Sequence, residues 1–157
     1  MTRTKRTPAG AALTDLILDL FRLTSRMLAA GDRLVADLGL TSARWQVLGA
    51  IVGADRAQPV AWLARDLGAH RQNVQRIIND LHQEGLVAFE ANPHHRRAQL
   101  VILTEKGKRA FEAAMNLQAP WVNSLSDGVA VKDIETVRRV VTAVRKKLEG
   151  QEAQERA

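Results

Sequence analysis

The sequence predicts a mainly α-helical chain carrying one small β-hairpin, on three observations. Apolar residues recur at helical spacing along most of the chain, most cleanly as Val74, Ile77, Ile78 and Leu81 at i, i+3, i+4 and i+7. The period changes to that of extended backbone at 86–90 and 99–104, on either side of an Asn92-Pro93 turn signal. Gly39, Gly68 and Gly85 stand where helical patterns stop.

Residues 1–10 hold Arg3, Lys5 and Arg6 with no acid and read as a disordered basic arm. Over 11–40, Leu13, Leu16, Ile17, Leu20, Met27, Leu28, Leu34, Val35 and Leu38 form a broad helical stripe that Gly31 can bend. Thr41 and Ser42 suit the cap of a second helix through about Ile51, with Trp45, Leu48 and Ile51 on one face. Residues 52–59 read as a loop. A short third helix spans roughly Val60 to Leu67, and a fourth roughly Arg71 to Glu84. The two strands are held by Leu86, Phe89, Leu100 and Ile102, and the tip between them is basic. Helix resumes after Thr104 and runs toward Pro120. A last helix carries Ile134, Val137, Val141, Val144 and Leu148, and residues 150–157 form a polar, frayed tail.

Composition bounds the function. Hydrophobic residues are 46% and charged residues 25% of 157, so a packed core is available. The absence of cysteine excludes disulfides, thiolate zinc sites and thiol redox sensing. The net charge of +6 is unevenly placed: +3 over residues 1–12, −1 over 13–55, +4 over 56–110 and zero over 111–157. A basic middle on a neutral scaffold suits a polyanion. No uncharged apolar stretch is long enough to span a bilayer, and Asp15, Asp19, Arg22 and Arg26 interrupt the apolar residues after the basic start. The chain is therefore expected to be cytoplasmic, without a membrane partner. It has no Gly-rich phosphate loop, nucleophile elbow or acidic metal pair, so no enzyme is expected and no cofactor. Asp15 and Asp19 lie four apart on an amphipathic helix and read as solvated. His94 and His95 are adjacent and cannot converge on one metal as helix-spaced ligands do, so no metal site is expected. Trp45, Trp62 and Trp121 read as packing residues.

Two short helices joined at Gly68, followed by a hairpin with a basic tip, make a winged helix-turn-helix. The second helix of such a pair must bury one face and present a polar face to the major groove. Here that face is His70, Arg71, Gln72, Asn73, Gln75, Arg76 and Asn79. Asn and Gln can bind adenine edges bidentately, and Arg can bind guanine edges. An ordinary surface helix mixes Glu with Lys; this one has no acid before Asp80. The expected DNA-binding set is Arg44, His70, Arg71, Gln72, Asn73, Gln75, Arg76, His95, Arg96 and Arg97.

The run Leu63-Ala64, Leu67-Gly68, Arg71, Val74, Arg76, Leu81 and Gly85-Leu86-Val87, then Asn92-Pro93, Arg96-Arg97-Ala98 and Leu103-Thr104-Glu105-Lys106-Gly107, resembles the multiple antibiotic resistance regulator (MarR) family over about residues 40–110. The flanking helices match that family in length and place. The resemblance implies terminal helices that form a two-fold homodimer and place two reading helices in successive major grooves of a pseudo-palindrome. It implies a wing arginine at Arg97 that enters or borders the minor groove. It also implies an effector pocket between the dimer helices and the DNA unit, for which Leu20, Met27 and Trp45 are the candidates and a small aromatic or phenolic molecule the ligand. The family's wing tip reads Asp-Pro-x-Asp-(Arg/Lys)-Arg; this chain has Asn92 and His95 in place of the two acids.

The expected organisation is an arm at 1–10, a dimerisation helix at 11–40, a DNA-binding winged helix-turn-helix at 41–110, dimerisation helices at 111–149 and a tail at 150–157. The heptad-like apolar series of the last helix needs a partner. The expected function is a sequence-specific transcription regulator, in this family usually a ligand-released repressor, acting on double-stranded DNA as a homodimer. The alternative is an architectural DNA-binding protein with little sequence preference. Gln72, Asn73 and Gln75 favour the first, because a pure phosphate binder needs only charge.

Overall fold

The structure is a computed structural model that describes residues 4–155. It forms two compact units, residues 1–118 and 119–157. The first holds α1 (Pro8–Val35), a 3-10 turn (Ala36–Leu38), α2 (Ser42–Gly53), β1 (Gln58–Pro59), α3 (Val60–Asp66), α4 (Arg71–Gln83), β2 (Val87–Glu90), β3 (Leu100–Leu103) and the start of α5 (Glu105–Leu125). The second holds the rest of α5 and α6 (Val131–Glu155). The mainly helical fold with a small antiparallel sheet is as the sequence predicts.

α1 begins inside the segment expected to be a disordered arm. The Thr7 hydroxyl accepts from the Gly10 amide at 3.0 Å, and Pro8 opens the helix where its missing N–H leaves nothing unpaired. Arg3 lies outside the described residues. At the other end α6 remains helical through Glu155, within the expected tail; residues 156 and 157 lie outside the described residues.

α1 continues through Gly31, which makes room for α2. A Cβ there would collide with the Ser42 hydroxyl. Ser42 is buried; its Oγ donates to the Leu28 carbonyl at 2.7 Å and its amide to Asp32 Oδ1 at 2.7 Å. α2 thus starts hydrogen-bonded to α1, with Thr41 capping it by accepting from the Arg44 amide.

α3 and α4 both end in the same way. Ala69 N donates to Ala64 O and Gly68 N to Arg65 O; Leu86 N donates to Leu81 O and Gly85 N to His82 O. These paired bonds require a left-handed residue, supplied by Gly68 (φ 61°) and Gly85 (φ 74°). They fix the angle at which α4 leaves α3 and the point at which the chain turns into β2.

The core of the first unit joins Val35 and Leu40 to Val47 and Leu48 of α2, Val60, Leu63 and Ala64 of α3, Val74, Ile78 and Leu81 of α4, Leu86, Val87 and Val101 of the sheet, and Ala114 of α5. Each fully buried Leu, Ile or Val among them contributes about 1.5–3 kcal/mol. Phe89 packs against this core and lies tilted against His82, ring centroids 4.9 Å apart, which couples the hairpin to α4.

Four expectations are corrected. The loop at 52–59 ends in β1, whose Gln58 and Pro59 pair with Val101 and Leu100, giving a three-stranded sheet of order β1-β3-β2. Pro59 has no amide to donate and sits on the edge strand, where none is needed. The hairpin register pairs Val87 with Leu103 and Phe89 with Val101, so these four face the core; Leu100 and Ile102 share the other face with Ala88 and Glu90. Pro120 does not end α5, which extends to Leu125. Helical residues on both sides carry the backbone across the one missing hydrogen bond. Trp62 is not a core residue: α3 buries Val60, Leu63 and Ala64, and Trp62 between them is 54% exposed.

Among the described residues α6 buries none. Ile134, Val137, Val140, Val141 and Leu148 are exposed along it, as are Leu18, Phe21, Leu23, Met27 and Leu28 along α1.

Candidate nucleic-acid interface

α4 is built to expose a polar face. Val74, Ile78 and Leu81 anchor it in the core, which leaves Arg71, Gln72, Asn73, Arg76 and Asn79 exposed on the opposite side. His70 is the exposed N-cap residue and makes no side-chain cap bond, so its imidazole is uncommitted to the helix end. The first turn contains no acid. The positive end of the helix dipole adds to Arg71 and Arg76, making the start of α4 attractive to anions. Gln75 differs from its neighbours. It is half-buried, and its Nε2 donates to Asn79 Oδ1 at 3.0 Å.

Arg44 stands apart from this face. Its Nη1 donates to Glu84 Oε1 at 2.7 Å and to the Gly39 carbonyl at 3.3 Å. Glu84 comes directly after the last residue of α4, eight residues beyond Arg76, roughly 12 Å along the axis at 1.5 Å per residue. The sequence set Arg44 beside His70–Arg76; in the fold it joins α2 to the far end of the same helix.

That far end is held by the start of α5 as well. The Thr104 hydroxyl donates to the Gly85 carbonyl at 2.6 Å and accepts from the Gly107 amide at 3.0 Å, capping α5. Lys106 Nζ donates to the Glu84 carbonyl at 2.7 Å, placing a cation at the negative end of α4. Gly107 is buried, and any Cβ there would overlap the Leu86 carbonyl. Glu105 pairs with Lys108 at 2.7 Å, and the hydrogen bond and charge of that lysine lower its carboxyl from the ordinary value. The segment Leu103–Gly107 is therefore the joint between α4 and α5.

The wing tip spans 91–99. His94, His95, Arg96 and Arg97 are all exposed, and no acid lies between Glu90 and Glu105. The tip is closed by Asn92, whose Nδ2 donates to the Ala98 carbonyl at 2.8 Å and whose Oδ1 accepts from the His94 amide at 3.0 Å. The Asn92-Pro93 signal marked a turn but not these cross-tip bonds. Of the effector candidates, Trp45 packs partly buried against the core, Leu20 is half-buried and Met27 is exposed.

A model described as MarR family matches residues 38–98, the segment from the end of the 3-10 turn to the wing. An uncharacterized protein of Mycobacterium tuberculosis is 38% identical over 136 residues, covering 83% of this chain and 92% of that protein. The chain belongs to the MarR family. MarR-family proteins are DNA-binding winged-helix transcription regulators. The transcriptional activatory protein BadR of Rhodopseudomonas palustris is 33% identical over 99 residues, covering 62% of this chain and 57% of that protein. CouR of Rhodococcus jostii RHA1 shares the fold at 20% identity, with a TM-score of 0.74 over 83% of this chain and 91% of that one; its structure is bound to p-coumaroyl-CoA. The repressor CouR bound to a 23-mer DNA duplex matches with the same TM-score of 0.74 at 21% identity, over 90% of this chain and 99% of that one.

Proposed function

We propose that this MarR-family regulator binds a pseudo-palindromic duplex as a homodimer and acts as a ligand-responsive repressor. The observation that carries the reading is the acid-free, exposed face at the start of α4. Asn73, Gln72 and Arg76 are suited to base edges, with His70 and Arg71 beside them for phosphate. Gln75 contributes through Asn79 rather than as a free amide. His95, Arg96 and Arg97 reach the flanking minor groove or its phosphates from the wing. Arg44 acts on this face indirectly, through Glu84.

Dimerisation is supported by the exposed apolar stripes of α1 and α6, too extensive for a solvated surface. A two-fold pair would present two α4 helices to half-sites one helical turn apart. Responsiveness is supported by CouR, a protein of similar fold whose structure is bound to p-coumaroyl-CoA. In this chain Leu20, Met27 and Trp45 are the residues assigned to a small aromatic effector. A regulator of this kind works where the chromosome lies, in the cytoplasm. Among the described residues no helix is long and apolar enough to cross a membrane.

Activation is the second reading, favoured by the name and 33% identity of BadR. Selection of duplexes from a random pool tests the core of the proposal: it should return a two-fold-symmetric motif with half-sites about 10 base pairs apart. Placing that motif across or upstream of a reporter promoter then gives the sign of regulation. A pool that yields no enriched motif would leave the architectural alternative standing.

A further inference from the structure

Asn92 is the second residue of the wing tip. Its side chain spans the tip. Nδ2 donates to the carbonyl of Ala98 at 2.8 Å, and Oδ1 accepts from the amide of His94 at 3.0 Å. Two backbone bonds complete the closure: His95 N to Asn92 O at 3.3 Å and Ala98 N to His95 O at 3.0 Å. An ionised carboxylate could accept from the His94 amide, but it has no proton for the Ala98 carbonyl and would repel it. Only a group that donates and accepts at once can make both bonds.

We infer that Asn92 is the positioning residue of the wing: its amide bridges His94 and Ala98 and thereby fixes the backbone that carries Arg96 and Arg97 toward DNA. The inference rests on the proposed DNA contact of the wing. The closing group is neutral, so order at the tip is obtained without a negative charge beside the arginines. A carboxylate there would oppose the approach of phosphate. Asn92 itself is half-buried within the tip and acts through Arg97.

The test uses the full-length protein and the duplex it selects from a random pool. Affinity is measured for Asn92→Ala, Asn92→Asp, Arg97→Ala and the double variant Asn92→Ala/Arg97→Ala. Gln99→Asp, at an exposed neighbour outside the bridge, controls for added charge alone. Melting curves and the hydrogen exchange of the His94, Ala98 and Ile78 amides accompany each variant. Asn92→Ala should weaken binding about tenfold, the scale of one or two broken hydrogen bonds, with His94 and Ala98 protection reduced and Ile78 protection unchanged. Asn92→Asp should weaken it more than Gln99→Asp does. In the Arg97→Ala background, Asn92→Ala should add less than about twofold, because the contact it positions is already gone. If Arg97→Ala weakens binding and Asn92→Ala does not, or the two effects multiply as independent ones, the positioning role is overturned while the wing contact stands. If Arg97→Ala leaves affinity unchanged, the DNA contact of the wing fails and the inference falls with it.

Discussion

The guanidinium of Arg44 in α2 and the carboxylate of Glu84 at the end of α4 form a 2.7 Å ion pair across forty residues of sequence. The backbone carbonyl of the same Glu84 receives Lys106 from α5, so two separate helices hold the trailing end of α4. With side chains 22% and 45% exposed the pair is partly screened, and its contribution to stability should be about 1 kcal/mol or less. Glu84→Ala distinguishes its two conceivable roles. Were Arg44 a phosphate contact, removing Glu84 would free it and raise DNA affinity. As a joint, Glu84→Ala and Arg44→Ala should both lower affinity for the selected duplex. The exchange Arg44→Glu/Glu84→Arg should recover part of the loss, as fluorescence anisotropy would report.

Gly107 tests the second joint. A Cβ there overlaps the Leu86 carbonyl, and backbone on both sides cannot yield as a flexible side chain would. Gly107→Ala should destabilise the protein by about 1–3 kcal/mol, the scale of overpacking. Gly53→Ala has open space and should cost far less. Equal urea midpoints for the two variants would remove Gly107 from the joint.

What was legible in the sequence is what local chemistry determines. The apolar stripe Val74, Ile77, Ile78 and Leu81 set the buried face of α4, and Gly68 and Gly85 its bounds, because a helix face and a left-handed cap are each written within a few residues. The exposed set Arg71, Gln72, Asn73 and Arg76 followed from the same periodicity. What was not legible depends on distant partners. β1 is two residues long and exists only through β3. The hairpin register put Val101 and Leu103 inward rather than Leu100 and Ile102, a one-residue choice that short apolar runs leave open. The pairing of Arg44 with Glu84, forty residues away, has no local signal.

The dimer prediction rests on α6, where Val137 and Val141 are 46% and 36% exposed in the single chain. An obligate interface above roughly 2,000 Å² in total is expected. Val141→Glu should give monomers or aggregates and lose operator binding. Sedimentation of the unmodified protein as a monomer at micromolar concentration would contradict it.

At the wing, removing one phosphate contact should flatten the dependence of log K on log salt by about 0.9. Arg97→Ala should weaken binding and flatten that slope by about one unit, and Arg96→Ala should do so more mildly. His95→Ala should also weaken binding to the selected duplex, and unchanged affinity at fixed salt would remove His95 from the contacts of the wing.

The central claim, that the start of α4 reads bases, is tested most directly by one ratio: affinity for the selected duplex over affinity for its scrambled counterpart, in the unmodified protein and in Asn73→Ala and Arg76→Ala. A sequence reader should show a ratio of about 10³ or more at physiological salt. Each substitution should cost about 1–3 kcal/mol on the selected duplex and much less on the scrambled one, so the ratio falls. If both affinities fall together and the ratio holds, these side chains contact phosphate alone, and α4 is not the reading element proposed.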